Sequence, residues 1–89
     1  MTNKKNQQNE LDQLDLHRLL PSHRTSDHFR ILLTEILKAK TNRDCDNKES
    51  YCLGYIQGLA DSDLLSASSK PDLRDIVWKI ASKTKQLIA

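Results

Sequence analysis

The sequence predicts an all-α fold, a compact bundle of about four helices. The chain of 89 residues has only two glycines and two prolines, a composition poor in residues that form turns. Apolar residues recur at helical spacing in several segments, and no segment alternates apolar and polar residues as a half-buried strand does. These observations favour helices over strands throughout the chain.

The first helix is predicted at residues 10–20, where Pro21 would end it. Its leucines scatter around the helix axis, so we expect it to depend on packing against the other helices. Residues 1–9 contain no apolar residue after Met1 and are expected to form a flexible tail. The single helical domain then comprises residues 10–89.

The second helix is predicted at residues 27–40, with Thr25 or Ser26 as its N-cap. One side of this helix is apolar and is expected to face the core. Ile31 points away from that side, among charged and polar residues. The apolar stripe consists of Phe29, Leu32, Leu33, Ile36 and Leu37.

The third helix is predicted at residues 48–60, after a polar loop at 41–47 that supplies Asp46 or Asn47 as the N-cap. Apolar side chains nearly surround its axis, a pattern typical of a central, buried helix.

Two glycines lie four residues apart in this helix, and each lowers its intrinsic stability by roughly 1 kcal/mol relative to alanine. We expect Gly54 and Gly58 to offset this loss of helix stability by letting a neighbouring helix approach closely. The alternative is that Gly58 begins a C-terminal cap.

A short helical turn near residues 62–66 precedes the fourth helix, which is predicted at residues 71–88. Pro71 suits its first turn, because a backbone N–H at that position would have no acceptor within the helix. The apolar residues of this helix form a stripe roughly 140° wide, so one face should be buried. They are Leu73, Ile76, Val77, Ile80, Ala81, Leu87 and Ile88.

Trp78, the only tryptophan, projects about 60° beyond the edge of this stripe, towards Arg74 and Lys85. Three interpretations stay open. Trp78 packs beneath the N-terminal segment as part of a wide core, anchors a protein partner or a homodimer, or stacks on nucleic acid while basic side chains bind phosphates. Ile31, also outside its stripe, favours an interface if the fold brings it near Trp78.

No residue pattern indicates a metal, a cofactor or catalysis. Cys45 and Cys52 on one helix would lie roughly 10 Å apart, too far for a disulfide. A strained bridge stays open if Cys45 lies in the preceding loop. His17, His23 and His28 have no zinc-ligand spacing and are expected to be surface or capping residues. We find no nucleophile motif or phosphate-binding loop, so we expect no enzyme activity and no cofactor.

The charge of the chain is nearly balanced, at +2, which by itself does not imply nucleic acid. Residues 70–89 carry five basic against two acidic residues, which suits the negative C-terminal end of a helix dipole. The N-terminus is polar, without a signal peptide, and no apolar run reaches the length of about 18 residues that spans a membrane. We therefore expect a reduced, cytoplasmic protein without a membrane partner.

These observations predict a small, non-enzymatic protein-binding module that acts as a regulator, adaptor or stoichiometric inhibitor. Its partner-binding residues would be Trp78, Arg74, Lys85 and Ile31. Accessory proteins of phages and plasmids are often of this size, an analogy of scale only. A first alternative is a DNA- or RNA-binding regulator that uses the basic C-terminal helix. A second is a structural homo-oligomer with Trp78 at the two-fold contact.

Overall fold

The computed structural model describes residues 4–88, which form four helices and no strand. The helices are α1 (Lys4–Asp12), α2 (His23–Leu37), α3 (Asn42–Asp61) and α4 (Ser69–Ile88). The predicted all-α bundle of four helices is therefore confirmed, although every helix begins earlier in the chain than predicted.

The N-terminal segment differs most from its prediction. α1 ends at Asp12, and residues 13–22 follow an irregular path instead of continuing the helix predicted at 10–20. Leucines that scatter around a helix axis cannot all face one core, whereas an irregular chain buries Leu16 and Leu20 together. Residues 4–9 of the predicted tail are helical, and residues 1–3 lie outside the described residues.

A capping box sets the start of α2 at His23, four residues earlier than predicted. The Thr25 backbone N–H donates to Ser22 Oγ at 3.2 Å, and the Ser22 backbone N–H donates to Thr25 Oγ1 at 3.0 Å. The N-cap is therefore Ser22, not Thr25 or Ser26. Ser26 lies inside the helix and is buried. α2 ends at Leu37 instead of residue 40.

The polar segment before α3 is mostly helix and not loop. Thr41 is the N-cap, because its side-chain oxygen accepts from the Asp44 backbone N–H at 3.0 Å. The predicted caps, Asp46 and Asn47, lie within the helix. Cys45 is consequently in the first turns of α3, where its side chain is buried.

A left-handed residue ends α3 and replaces the helical turn predicted at 62–66. Asp63 has φ 59°, and the Leu64 backbone N–H donates to the Leu59 carbonyl oxygen at 2.9 Å. This is the bonding pattern of a Schellman cap, which satisfies the last carbonyl groups of a helix and directs the chain away from its axis.

Gly54 and Gly58 do not provide a close helix contact. Both are exposed, and a Cβ atom added to either would meet no other atom within 4 Å. Gly58 does not begin a cap either, since α3 continues to Asp61. Both predictions for these glycines are wrong. Each glycine lowers the stability of α3, and no contact among the described residues offsets this loss.

The core lies between the inner faces of the helices, and the central contact joins α3 to α4. The N-terminal part of α3 lies against the C-terminal part of α4, where the Cys45 thiol donates to the Ala81 carbonyl oxygen at 3.7 Å. Phe29 and Leu33 of α2 are buried completely in the same cluster. This arrangement leaves the opposite side of α4 in solvent.

Arg30 of α2 fastens the end of α1 to the bundle. α1 has no basic residue in its last turn. The guanidinium group of Arg30 donates instead to the Leu11 carbonyl oxygen and, at 2.9 Å, to the Leu14 carbonyl oxygen. An ion pair of 3.0 Å between Glu10 and Lys83 adds a contact from α1 to α4.

We predict that Arg30→Met lowers the free energy of unfolding by about 2 kcal/mol, because two carbonyl groups lose a charged donor. Arg30→Lys should recover only part of this loss, since an ammonium group lacks the two-pronged geometry of guanidinium. Urea denaturation measures both effects. Arg24→Met, which removes an exposed arginine from the same helix, is the matched control, and an equal effect of the two Met variants would contradict the anchoring role.

We predict that Gly54→Ala and Gly58→Ala each raise the free energy of unfolding by about 1 kcal/mol, because alanine favours the helix and a Cβ atom meets nothing at either site. Thermal denaturation of the single and double variants measures the gain, which should be additive. A loss of stability in either variant would show that something packs against that glycine.

Candidate protein-binding surface

Trp78 lies in solvent on the outer side of α4. Its side chain is 66% exposed, whereas Leu73, Val77 and Ala81 on the inner side of the same helix are buried. The interpretation that Trp78 packs beneath the N-terminal segment is therefore wrong. The leucines of that segment pack in or against the core cluster instead.

Two shallow depressions flank the indole ring of Trp78, and we call them together with the ring the Trp78 face. Asp75 lies at the border of both depressions. Along the helix, one depression extends towards the N-terminal end of α4 and the other towards its C-terminal end. The first is lined by Pro71, Arg74, Asp75 and Trp78, and the second by Asp75, Trp78, Lys79, Ser82 and Lys83.

Arg74 belongs to the Trp78 face, as the sequence predicts. It is exposed, and no ion pair joins it to a carboxylate among the residues that the structure describes. Its guanidinium group is thus available to a partner.

Lys85 does not belong to this face. Its ammonium group pairs with Asp46 of α3 and lies 3.9 Å from Glu49. The hydrogen bond to Asp46 raises the pKa of Lys85. Lys85 therefore joins the start of α3 to the end of α4, and its assignment as a partner-binding residue is replaced by this structural role.

Ile31 is exposed, at 57%, but lies elsewhere on the molecule. It lines a depression on α2 that includes Arg30, Glu35 and Lys38. This depression shares no residue with those beside Trp78. Ile31 and Trp78 therefore do not line a common depression.

Ion pairs engage most of the positive charge of α4. Lys79 pairs with Asp75 at 2.9 Å, and Lys83 pairs with Glu10 at 3.0 Å. With Lys85, three of the five basic side chains of this helix have carboxylate partners. The excess of basic residues noted in the sequence is thus largely neutralised within the folded chain.

The histidines and cysteines do not assemble into a site. All three histidines are exposed, and the rings of His17 and His23 lie 4.5 Å apart. Within residues 4–88, no group of three His, Cys, Asp or Glu residues could hold a metal ion. Cys45 and Cys52 are both on α3, buried and free, so the disulfide left open by the sequence is absent.

An aliphatic groove on the other side of α4 was not identified from the sequence. It lies between α1 and α4 and has a volume of about 200 Å³. No sequence signal placed its leucines beside α4, because the path of residues 13–22 was wrongly predicted. The groove is lined by Leu11, Leu14, Leu37, Ile76 and Ile80, with Glu10, Lys79 and Lys83 at its polar edge.

Comparison of the chain with models of protein families, with curated proteins and with solved structures found no match. None of the helices in the described residues combines the length and the apolar character needed to cross a membrane.

Burial raises the pKa of the Cys52 thiol from 9.0 to about 12. The folded protein therefore holds this proton more tightly than the unfolded chain, and the resulting stabilisation is complete below pH 9.0 and is lost as the pH rises towards about 12. We predict that the free energy of unfolding falls between pH 9.0 and about 12, and that the Cys52 thiol accounts for up to about 1.4 kcal/mol of this fall per pH unit.

Urea denaturation across the window should give a shallower decline for Cys52→Ala than for the unsubstituted protein, whatever the stability of the variant at neutral pH. Ser50→Ala, an exposed substitution on the same helix, should keep the original slope. An unchanged slope in Cys52→Ala would contradict the effect of burial.

Proposed function

We propose that the protein is a small binding module that regulates, connects or inhibits a protein partner through the Trp78 face. The observation that carries this proposal is the position of Trp78, two thirds exposed on the outer side of α4. An aromatic side chain buries about 150–250 Å² on contact, and each 100 Å² of apolar surface removed from water contributes about 2.5 kcal/mol. A partner that covers the exposed part of Trp78 gains part of this free energy, less the cost of association.

The charges around Trp78 favour an acidic partner. The two depressions contain three cationic side chains, Arg74, Lys79 and Lys83, and a single carboxylate, Asp75. The pairs of Lys79 and Lys83 are solvent-exposed, and such pairs contribute little to stability. Carboxylates of a partner can therefore replace the internal ones at small cost.

Nucleic acid is less well supported as the partner. Affinity for nucleic acid comes mainly from several cations that bind phosphates along the backbone. The Trp78 face has only three cationic side chains, Arg74, Lys79 and Lys83, and the Asp75 carboxylate lies among them. One aromatic ring beside this short, mixed-charge set suits a protein contact better than a row of phosphate contacts.

We predict that random peptides displayed on phage and selected on the purified protein become enriched in Asp and Glu beside aliphatic or aromatic residues. Trp78→Ala should weaken a selected peptide at least tenfold, because the indole ring is the central apolar contact. Tyr51→Ala is the matched control, since it removes another aromatic side chain, 63% exposed on α3, and should leave the affinity unchanged.

Three results would contradict the proposal. Selected peptides could lack acidic residues, or bind Trp78→Ala and Tyr51→Ala equally. Alternatively, sedimentation over a dilution series could show a dimer that Trp78→Ala dissociates, which would make the Trp78 face a contact between two copies of this chain.

A further inference from the structure

The aliphatic groove between α1 and α4 adjoins the Trp78 face. Lys79 and Lys83 line both the groove and the depression on the C-terminal side of Trp78. These two lysines therefore form a ridge on α4, with aliphatic side chains on one side and the indole ring on the other. A partner bound at Trp78 would have the groove within reach across this ridge.

The size of the groove favours a single large side chain as its occupant. Sites for whole small molecules have volumes of about 300–1,000 Å³, whereas this groove has about 200 Å³ and is open to solvent along one side. Its walls include Leu14, Ile76 and Ile80, which are only half-buried by the chain itself. An apolar group that enters the groove would cover these three side chains.

We propose that the groove binds an aliphatic or aromatic side chain of the same acidic protein segment that contacts Trp78, while carboxylates of that segment bind Lys79 and Lys83 on the ridge. This inference rests on the proposed function and adds a second contact to it. The partner is thus a segment with two apolar anchors and acidic residues between them.

Helix geometry sets the spacing of these anchors. Ile76 and Ile80 project from α4 about 160° away from Trp78, and half the circumference of a helix with its side chains is about 15–19 Å. An extended chain advances about 3.3 Å per residue. The two anchors should therefore be about five residues apart, with acidic residues at the intervening positions.

The test uses an acidic peptide selected on the full-length protein as above, and reports on the isoleucine and leucine methyl groups by NMR. Binding should shift the methyl resonances of Ile76, Ile80 and Leu14. Ile76→Gln should weaken the peptide at least tenfold. Ile88→Gln is the matched control, because Ile88 is also half-buried on α4 but does not line the groove.

A second variant and a double-mutant cycle separate loss of binding from loss of folding. Leu14→Phe fills the groove with a larger apolar side chain and should also weaken binding tenfold, with the folded state verified by circular dichroism. Replacing the peptide's second anchor by alanine should weaken binding to the unsubstituted protein, but not to Leu14→Phe.

Distinct outcomes overturn the inference and the proposed function. If Trp78→Ala loses the peptide while Ile76→Gln and Leu14→Phe bind it normally, the groove is not a subsite and the Trp78 face stands alone. If no variant loses the peptide, both proposals fail. If octanoate shifts the same methyl groups and the peptide does not displace it, the groove binds small apolar anions and the inference is overturned.

Discussion

The position of the N-terminal segment depends on the two hydrogen bonds that Arg30 donates to the carbonyl oxygens of Leu11 and Leu14. These bonds satisfy the Leu14 carbonyl oxygen and give the Leu11 carbonyl oxygen a charged donor in addition to the Leu14 backbone N–H. They also hold Leu11 against the bundle, where it is buried, and place Leu14 at the edge of α4. One side chain of α2 thus holds in place the segment that covers the core and supplies Leu11 and Leu14 to one wall of the aliphatic groove.

α4 contributes one face to the core and leaves the opposite face in solvent. Its inner face is buried, and near its end Lys85 pairs with Asp46 of α3. The opposite side is the Trp78 face, in which Arg74 has no carboxylate partner among the described residues. α4 thus uses three of its five basic side chains in ion pairs and leaves its largest apolar side chain in solvent.

The sequence predicted those features of the fold that depend only on the residues of a single helix. The stripe of α4 and the position of Trp78 outside it follow from a period of 3.6 residues. The N-terminal segment could not be predicted this way, because its path depends on Arg30, sixteen or more residues away. Lys85 was misassigned for a similar reason, since its partner Asp46 lies on another helix. The start of α2 could have been found, because Ser22 and Thr25 have the spacing of a capping box.

The fluorescence of Trp78 tests the central claim most directly, since it is the only tryptophan in the chain. We expect the dilute protein to show a red-shifted emission that acrylamide quenches readily, and a selected acidic peptide to shift the emission to the blue and protect it from quenching. A blue-shifted, poorly quenched emission from a monomer without peptide would contradict the account, because it would place the indole ring inside the fold.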